Sequence, residues 1–407
     1  MNVATMRKID RWLGVPVCAA LTLIRRLTDW TRKSPPAKVG KILLVKLAEQ
    51  GSTVLAAGAI ERAVKMVGRQ NVYFLVFQEN RFILDVMDMI SPANVLAIPT
   101  GGLRTVARGA IAKLREARRL GIDAAIDLEF FARSSAALTY LSGASRRVGY
   151  HSYFGEASYR GDLMTHRLSF NSQLHAAEAF ETMVAALDQP GQSLPTFPIT
   201  PDGLGRKSVT FAPSAQESAE VRQLLARLAG RRDVKSLVLL NPNCSDLLPL
   251  RSWPKQRYAD LAQKLLAAHP KMFVAFTGAP NEAAAAAELA AAVGSDRVIN
   301  LAGQTTLRQL LVAYTLADVL VTNDSGPAHF ASLANLDVVV LFGPESPRLF
   351  AARTDRTHVL YSHIVCSPCV NAFNDRQSAC QNNLCMQNIS VEEVFQAVEK
   401  VCQERRK

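Results

Sequence analysis

A polar turn between an apolar strand and a helix carries residues suited to binding a phosphate: Asp324, Ser325, Gly326, Pro327 and His329. Aspartate and serine are typical N-cap residues, and proline is tolerated in the first turn of a helix. Glycine lets another group approach the backbone closely. The unpaired N–H groups at a helix start attract anions, and the imidazole one turn later can reach the same anion. An ordinary strand-to-helix connection can have the same spacing.

A second apolar strand, Asp337 to Phe342, follows this helix and ends in another polar turn, Gly343 to Pro347. Strands buried on both faces of a parallel sheet are uninterrupted apolar runs of this kind. Ligands of open α/β sheets bind outside the carboxyl ends of the strands. Both turns are therefore expected at the ligand-binding edge of one sheet.

The run DSGPAHFASLANLDVVVLFGPESP, residues 324–347, closely resembles the signature of family 9 glycosyltransferases, which include the ADP-heptose:lipopolysaccharide heptosyltransferases. The resemblance extends from residue 41 to residue 400 and is strongest between 236 and 350. It implies the GT-B architecture, in which two Rossmann-like doubly wound α/β domains face an interdomain cleft. It also implies an inverting, metal-independent transfer of a sugar, most often heptose, from a nucleotide-diphosphate donor.

The resemblance assigns further residues of the second half to the donor: Arg251, Gly278, Glu282 and Thr305. Arg251 stands where the family has a basic residue against the donor phosphates, and a guanidinium can fork two phosphate oxygens. Glu282 matches the position that faces the donor ribose. A glutamate in the first turn of a helix also complements the helix dipole, so a structural role is equally consistent with its place.

In the first half, the segments 127–134 and 146–150 resemble parts of the family that face the acceptor. Arg133, Arg146 and Arg147 in these segments suit phosphorylated or carboxylated sugars of a lipid-linked saccharide. The resemblance therefore implies that these three arginines bind the acceptor.

The family has a Gly-Asp pair after its first strand, and the aspartate is taken to deprotonate the acceptor, but here the pair is Gly51-Ser52. A serine hydroxyl cannot accept a proton near neutral pH unaided, so Ser52 is expected to be the N-cap of a helix that begins at Thr53. Glu49 lies in the same turn and is predicted to be the general base. Arg251 and His329 are predicted to stabilise the leaving diphosphate. The alternative is a loop glutamate in a protein without catalysis.

The elements that must position these residues alternate between apolar strands and helices from Lys41 onward, which predicts doubly wound sheets. No GxGxxG follows the first strand, which counts against a dinucleotide oxidoreductase. Four prolines between 190 and 201 mark a linker. The predicted organisation is a basic membrane-surface segment at 1–35, an acceptor-side domain at 36–190, a linker at 191–201 and a nucleotide-sugar-binding domain at 202–407.

The chain has 407 residues and a net charge of +12, and its basic excess is concentrated at the amino-terminal end. A thirteen-residue apolar run, Trp12 to Ile24, lies there between arginines and is too short to span a bilayer. It is interpreted as an amphipathic helix in the interface of an anionic membrane, with Trp12 and Trp30 at headgroup depth. A helix packed on the protein itself is the alternative, and the basic stretch 104–119 is a second segment that could contact lipid.

Four of the seven cysteines cluster near the carboxyl-terminal end: Cys366, Cys369, Cys380 and Cys385. Four thiolates suit a tetrahedral zinc site, although the CxxxxC spacing of the second pair is loose. Reduced free thiols are the alternative. No cofactor is expected for catalysis, and a structural zinc is one of the two interpretations of the cluster.

The sequence thus predicts a glycosyltransferase whose partners are a nucleotide-diphosphate sugar, a lipid-linked saccharide such as lipopolysaccharide core, and an anionic membrane. No nucleic-acid-binding motif is present, so nucleic acid is not expected as a partner. The predicted location is cytoplasmic, peripheral to the inner membrane of a Gram-negative-type bacterium. Two other classes stay open: a non-catalytic nucleotide-sugar-binding or assembly protein, and another nucleotide-sugar enzyme such as an epimerase.

Overall fold

The computed structural model describes residues 3–28, 38–191, 209–244 and 248–405, and it divides into two compact units. Unit 1 comprises Met1–Lys207 and Asn371–Gln377, and unit 2 comprises Ser208–Val370 and Ser378–Lys407. The segment 371–377 therefore groups with unit 1, although the sequence placed it in the second domain. Except for Gly191, the predicted linker lies outside the described residues, as does Trp30.

Unit 1 contains a parallel six-stranded sheet with strands β1 (Ile42–Val45), β2 (Val72–Phe77), β3 (Val95–Ile98), β4 (Ala124–Asp127), β5 (Arg146–Tyr150) and β6 (His166–Leu168). Their order across the sheet is β3-β2-β1-β4-β5-β6. Every residue of β1 is buried, as expected for a strand covered on both faces. The strands after β1 are added on one side of it and those from β4 onward on the other, so the strand order reverses between β1 and β4. Open α/β sheets bind their ligands at such a reversal point.

The helices of unit 1 are α1 (Val3–Thr28), α2 (Gln50–Leu55), α3 (Ala57–Val67), α4 (Arg81–Met87), α5 (Leu103–Leu120), α6 (Arg133–Leu141) and α7 (Ala176–Ala185). Helix α3 packs against α7, and α1 packs against α6. The connection after β1 is thus two short helices instead of the single helix predicted from Thr53.

Unit 2 contains a second parallel six-stranded sheet with strands β7 (Ser236–Asn241), β8 (Met272–Phe276), β9 (Val298–Asn300), β10 (Val319–Asn323), β11 (Asp337–Phe342) and β12 (Thr357–Tyr361). Their order is β12-β11-β10-β7-β8-β9, which repeats the topology of the first sheet. The reversal point of this sheet lies between β7 and β10. The loops after these two strands are therefore expected to carry its ligand site.

The helices of unit 2 are α8 (Ala215–Leu228), α9 (Lys255–Ala268), α10 (Ala283–Val293), α11 (Leu307–Leu316), α12 (Gly326–Leu333), α13 (Pro347–Phe350), α14 (Leu384–Gln387) and α15 (Val391–Glu404). The terminal helix α15 packs against α9, β10 and β11. Its apolar face, with Val394, Val398 and Val401, is buried in the core of unit 2. Trp253 is fully buried in the same core and donates its indole N–H to the Ile389 carbonyl at 2.8 Å.

One stripe of α1 is fixed to unit 1. The carboxylate of Asp10 accepts hydrogen bonds from the backbone N–H groups of Arg133 (3.0 Å) and Ser134 (2.6 Å), at the amino end of α6. A carboxylate at this place satisfies unpaired N–H groups and complements the helix dipole. Further along the same stripe Cys18 is fully buried, and Arg25 forms an ion pair with Asp162 at 2.6 Å. The helix is therefore part of the fold of unit 1.

The opposite side of α1 is apolar and exposed: Trp12, Leu13, Val15, Val17, Leu23, Ile24 and Leu27. The indole of Trp12 is 75% exposed, and the basic residues Lys8, Arg11 and Arg26 are also exposed. Among the described residues, no helix is both long enough and apolar enough to cross a bilayer. The alternative of a helix packed on the protein itself therefore holds for one side of α1. The other side presents an exposed apolar face, and its contact with a membrane stays a prediction.

Candidate active site

The polar turns predicted around the donor all follow carboxyl ends of strands in unit 2. Arg251 lies in the loop after β7, and Asp324 to Gly326 follow β10 directly. Gly278 and Glu282 come after β8, and Thr305 comes after β9. Because all strands of this sheet are parallel, these loops share one edge of the sheet. The two loops that contribute Arg251 and Asp324 flank the reversal point of the strand order, between β7 and β10.

Arg251 lies between two buried carboxylates. Its Nη1 atom is 3.2 Å from Oε2 of Glu345 and 3.6 Å from Oδ2 of Asp324. The side chains of both acids are at most 4% exposed, and that of Arg251 is 13% exposed. Its Nε atom is buried without a hydrogen-bond partner among the described residues. The guanidinium is therefore held at one corner by carboxylates and keeps a buried N–H for another acceptor.

Asn323 links the two loops at the reversal point. Its Oδ1 accepts hydrogen bonds from the Trp253 backbone N–H at 2.9 Å and from the Tyr258 hydroxyl at 3.1 Å. Its Nδ2 donates to the carbonyls of Pro242 and Asn243, each at 3.2 Å. Asn323 was not selected from the sequence, although it directly precedes the signature. Its amide fixes the loop after β7 relative to the loop after β10.

Helix α12 begins at Gly326, with Pro327 in its first turn, as predicted. Ser325 occupies the N-cap position, but its hydroxyl donates to the Asn323 carbonyl at 3.1 Å and does not cap the helix. Asp324 does not cap it either, because its carboxylate faces Arg251. Both residues predicted as caps, Asp324 and Ser325, thus have other roles, and the helix start has no side-chain cap. His329 is buried one turn further on.

Glu282 accepts a hydrogen bond from the Ala279 backbone N–H at 2.6 Å, which is the structural role considered from the sequence. A Cβ atom at Gly278 would lie 2.9 Å from both the Asn243 amide nitrogen and a Glu282 carboxylate oxygen, so a larger residue would require these two side chains to shift. Thr305 is half-buried and precedes Thr306, whose hydroxyl caps α11. Glu282 therefore shapes the loop after β8, and its contact with a ribose stays a prediction.

In unit 1, Glu49 lies in the turn after β1, directly before α2. Its backbone is left-handed, with φ 69° and ψ 84°, which is strained for a residue with a side chain. Its Oε1 atom is 2.6 Å from Nη1 of Arg376, and its side chain is 30% exposed. The helix begins at Gln50, so the expectation that Ser52 is the N-cap was wrong. The Ser52 hydroxyl instead donates to the Glu49 carbonyl at 3.2 Å.

Glu129, after β4, holds the other side of this turn. Its Oε1 accepts hydrogen bonds from the backbone N–H groups of Leu47 at 2.9 Å and Ala48 at 3.2 Å. Its Oε2 forms an ion pair with the buried Lys46 at 3.2 Å. The carboxylate therefore connects the ends of β1 and β4 and fixes the backbone that leads into Glu49.

Asp127, at the end of β4, is fully buried and forms an ion pair with the buried Arg160. The Ser135 hydroxyl donates to the same carboxylate at 3.0 Å. Burial raises the pKa of Asp127 to about 6, although the Arg160 guanidinium acts in the opposite direction. Arg160 also donates to the carbonyls of Ala132 at 3.0 Å and Phe130 at 2.9 Å. Asp127 is thus a structural anchor and does not reach a substrate.

The structure does not bring the three predicted acceptor arginines to one surface. Arg147 is 1% exposed and donates to the carbonyls of Leu163 and Ala144, each at 2.7 Å, so it is not available to an acceptor. Arg133 is buried beneath α1, where its Nε donates to the Tyr159 carbonyl at 3.0 Å. Arg146 begins β5 and so lies at the amino end of its strand. The resemblance thus gave no information on the direction of these side chains, and a contact of the segments 127–134 and 146–150 with an acceptor stays a prediction.

The four clustered cysteines are free thiols in the structure. Cys366 is exposed, Cys369 and Cys380 are half-buried, and Cys385 is buried. Burial raises the pKa of the Cys385 thiol to about 11, and the charges of the three other cysteines act in the same direction. Across the described ranges, no group of three or more Cys, His, Asp or Glu side chains is arranged to hold a metal ion. The thiols therefore do not fit a zinc site as they are arranged here.

Two parallel sheets of one topology, each with polar loops at its reversal point, define a protein of the GT-B class. The sequence profile of glycosyltransferase family 9 (heptosyltransferase) matches residues 111–379, which is more than half of the chain. The chain belongs to glycosyltransferase family 9.

Relatives and solved structures agree with this assignment. Lipopolysaccharide heptosyltransferase 2 of Salmonella typhimurium is 35% identical over 102 residues, which are 24% of this chain and only 29% of that protein. Lipooligosaccharide heptosyltransferase 2 of Haemophilus ducreyi is 26% identical over 316 residues, which are 75% of this chain and 84% of that protein. The structure of Escherichia coli ADP-heptose lps heptosyltransferase II has a TM-score of 0.67 at 18% identity, covering 90% of this chain and 100% of that chain. This last similarity concerns the fold.

Proposed function

We propose that this chain transfers a heptose from an ADP-heptose-like nucleotide-diphosphate donor to a lipid-linked saccharide such as lipopolysaccharide core. Family membership and the named activities of the relatives support this proposal. The observation that carries it is the pair of loops at the reversal point of unit 2, where Arg251 lies beside the uncapped start of α12. Transfer proceeds with inversion at the anomeric carbon and without a metal ion.

In this proposal, unit 2 binds the donor. The N–H groups at the start of α12 and the free corner of the Arg251 guanidinium bind the diphosphate, whose charge grows as the sugar leaves. His329 lies one turn into the same helix and contributes to the same anion site. Ser325, Gly326 and Pro327 form the backbone of this site, while Gly278 and Thr305 line the neighbouring loops.

Unit 1 provides the general base. Glu49 is the partly exposed carboxylate at the reversal point of its sheet, and its strained backbone and its ion pair fix the direction of the side chain. Strained residues of this kind persist where the surrounding structure imposes them, and they are common at active sites. Glu49 therefore removes the proton from the acceptor hydroxyl as that oxygen attacks the anomeric carbon.

Product analysis tests the proposal. Incubation with ADP-heptose and a heptose-deficient lipid-linked core is expected to give glycosylated acceptor and free ADP. Donor binding without product would instead indicate a binding or assembly protein, and conversion of the donor sugar in the absence of acceptor would indicate an epimerase. Either result would overturn the transferase assignment.

Substituting Arg251 with glutamine is expected to lower kcat/KM for the donor by about 10–100-fold, because a charge-assisted hydrogen bond contributes about 1.5–3 kcal/mol. Steady-state kinetics with varied ADP-heptose measures this effect. Arg232→Gln is the matched control, since Arg232 forms a surface ion pair with Asp296 in the same unit. Equal kcat/KM for Arg251→Gln and the control would remove Arg251 from the donor site.

We further propose that the exposed face of α1 binds an anionic membrane at the cytoplasmic side of the inner membrane, where a lipid-linked acceptor is presented. The seven apolar residues of this face and the adjacent Lys8, Arg11 and Arg26 combine apolar area with positive charge. Such helices lie in the headgroup region and are attracted by acidic lipid. The other side of α1 remains packed on unit 1.

The double variant Trp12→Ser/Leu27→Ser is expected to bind vesicles of anionic phospholipid at least about tenfold more weakly, because each side chain contributes roughly 1.5–3 kcal/mol when buried. Vesicle co-sedimentation at increasing salt measures this affinity, which should also fall with ionic strength. Both side chains are exposed, so folding should be unaffected. Val365→Ser, an exposed apolar residue in unit 2, is the control. Unchanged binding of the double variant would place the membrane contact elsewhere, with the basic helix α5 as the next candidate.

A further inference from the structure

The stretch from Cys366 to Cys385, which we call the cysteine stretch, contributes to both units of the molecule. Its central part, Asn371–Gln377, belongs to unit 1, whereas the residues before and after it belong to unit 2. The thiols of this stretch do not fit a zinc site as they are arranged, and none of its residues has a role in the proposed donor site or as the general base. Its residues nevertheless contact the side chain of Glu49, the proposed general base, and the backbone next to Arg251, the proposed ligand of the donor diphosphate.

In unit 1 the cysteine stretch is anchored by an aromatic side chain. The ring of Phe373 lies 6.1 Å from that of Phe131 and 5.1 Å from that of Phe170, the latter in an edge-to-face arrangement. Phe131 and Phe170 follow the carboxyl ends of β4 and β6. Edge-to-face aromatic pairs at these distances are stabilising. Phe373 therefore fixes the segment 371–377 at the edge of the sheet where Glu49 is located.

Three residues after this anchor, Arg376 makes the 2.6 Å contact with Glu49. Asp375 and Arg376 both have left-handed backbones, with φ 56° and φ 52°. Two successive residues of this kind without glycine are unusual, and the bend directs the guanidinium to the carboxylate. Both ends of the ion pair are thus held by strained backbone, which persists only when the surrounding contacts impose it.

In unit 2 the same stretch supports the backbone on both sides of Arg251. The amide of Asn383 donates hydrogen bonds to the carbonyls of Leu250 at 3.2 Å and Ser252 at 2.9 Å. The backbone N–H groups of Cys369 and Val370 donate to the Pro344 carbonyl at 3.0 and 3.1 Å. Pro344 precedes Glu345, which is the closer carboxylate partner of Arg251. The position of Arg251 is therefore set twice by this stretch.

We propose that the cysteine stretch positions both reacting ends of the proposed transfer reaction, through Arg376 on Glu49 and through Asn383 on the loop of Arg251. Arg376 and Asn383 are positioning residues, because each acts on the substrate only through another group. This inference rests on the proposed function, which assigns the base to Glu49 and the donor phosphates to Arg251. It also gives the residues between the cysteines a role that does not depend on a bound metal.

Two single variants of the full-length protein test the two ends separately. Arg376→Gln is expected to lower kcat by about tenfold or more and to leave the KM for ADP-heptose unchanged, because it releases only the base. Arg376→Lys should recover part of the loss, since it restores the positive charge. Asn383→Gly is expected to raise the donor KM, and the Kd for ADP measured by calorimetry, by about tenfold while kcat changes less. Glycine readily adopts the left-handed backbone conformation of Asn383, so the substitution removes the side-chain amide without straining the backbone.

Two matched variants serve as controls: Arg62→Gln, which removes a surface ion pair in unit 1, and Asn335→Gly, which replaces a left-handed asparagine in unit 2. Equal changes of kcat and KM in Arg376→Gln and Asn383→Gly, together with a lowered Tm, would show a general loss of stability and overturn the proposal. Unchanged kinetics in both variants would overturn it as well.

A double-mutant cycle separates this proposal from the assignment of the base. If Arg376 acts through Glu49, then Arg376→Gln should have no further effect on kcat in a Glu49→Gln background. Full activity of Glu49→Gln alone would instead reject the base. The donor end would then still be decided by the effect of Asn383→Gly on ADP binding, which requires no turnover.

Discussion

Replacing Glu49 with glutamine is expected to lower kcat by about 10²–10⁴-fold, the usual contribution of a positioned general base. The amide has the shape of the carboxylate, and its oxygen can still accept the hydrogen bond from Arg376. The turn after β1 should therefore keep its geometry while losing the ability to accept a proton. The loss should appear in kcat, because the proposed function assigns donor binding to residues of unit 2.

Single-turnover transfer from ADP-heptose to a heptose-deficient core measures the effect on the chemical step, and calorimetry with ADP measures donor binding. Glu79→Gln is the matched control, since this exposed glutamate is near the same turn, where its carbonyl accepts a hydrogen bond from Gln50. If Glu49→Gln retains the activity of the control, Glu49 is not the base. Asp127 cannot replace it because it is buried beneath Arg160, which leaves Glu129 as the carboxylate to test next.

The second large effect is expected on stability. Substituting Arg160 with methionine leaves the buried carboxylate of Asp127 without its cation, and breaking a buried pair in this way typically costs about 3–5 kcal/mol. The substitution also removes donors from the carbonyls of Ala132 and Phe130. Urea unfolding of the variant should show this decrease in the free energy of unfolding.

The sign of the pH dependence makes this test specific. Because burial raises the pKa of Asp127 from 3.8 to about 6, its contribution to stability is fully present below pH 3.8 and is lost as the pH rises through 6. A protonated Asp127 carries no charge, so it gains no ion-pair stabilisation from Arg160. Arg160→Met should therefore be more destabilising at pH 8 than at pH 5. A cost that is equal at both pH values would show that the hydrogen bonds of Arg160 to carbonyls, and not its charge, stabilise this region.

The double variant Asp127→Asn/Arg160→Met provides the control, because it removes both charges together. It should be more stable at pH 8 than Arg160→Met alone, since no uncompensated charge remains buried. If the double variant is less stable than the single variant by the full cost of Asp127→Asn alone, the two residues do not interact.

The strands in the interior of both sheets were predictable from the sequence because their residues are apolar without interruption. The strands β1 and β2 show this pattern throughout, and β10 and β11 show it except for Thr322, Asn323 and Asp337 at their ends; the structure confirms all four as buried parallel strands. The strands β5, β6 and β12 were not predicted, since they are short and carry polar residues such as His166 and Thr357. Strand β5 begins with two arginines, so its sequence does not have the apolar pattern of a buried strand. Arg147 is nevertheless buried, because its guanidinium donates hydrogen bonds to backbone carbonyls.

The signature located the loops of the candidate site but not the contacts between side chains. Asp324 and Ser325 were interpreted as helix caps, because isolated spacing favours the nearest backbone donors as partners. In the fold, Arg251 lies close to Asp324 and offers it a stronger electrostatic partner than a backbone N–H. Neither Glu345 nor Arg376 was selected from the sequence, because an ion pair between distant segments leaves no local pattern.

The ion pair between Glu49 and Arg376 joins positions 327 residues apart in the chain. Forming such a contact requires closure of a very long loop, and contacts of this kind are made late in folding. During synthesis, when domains fold as they emerge from the ribosome, the sheet of unit 1 can assemble long before Arg376 and Phe373 have been translated. We therefore expect the turn after β1 to receive its contact with Arg376 only when residue 376 has left the ribosome, after nearly the whole chain has been synthesised.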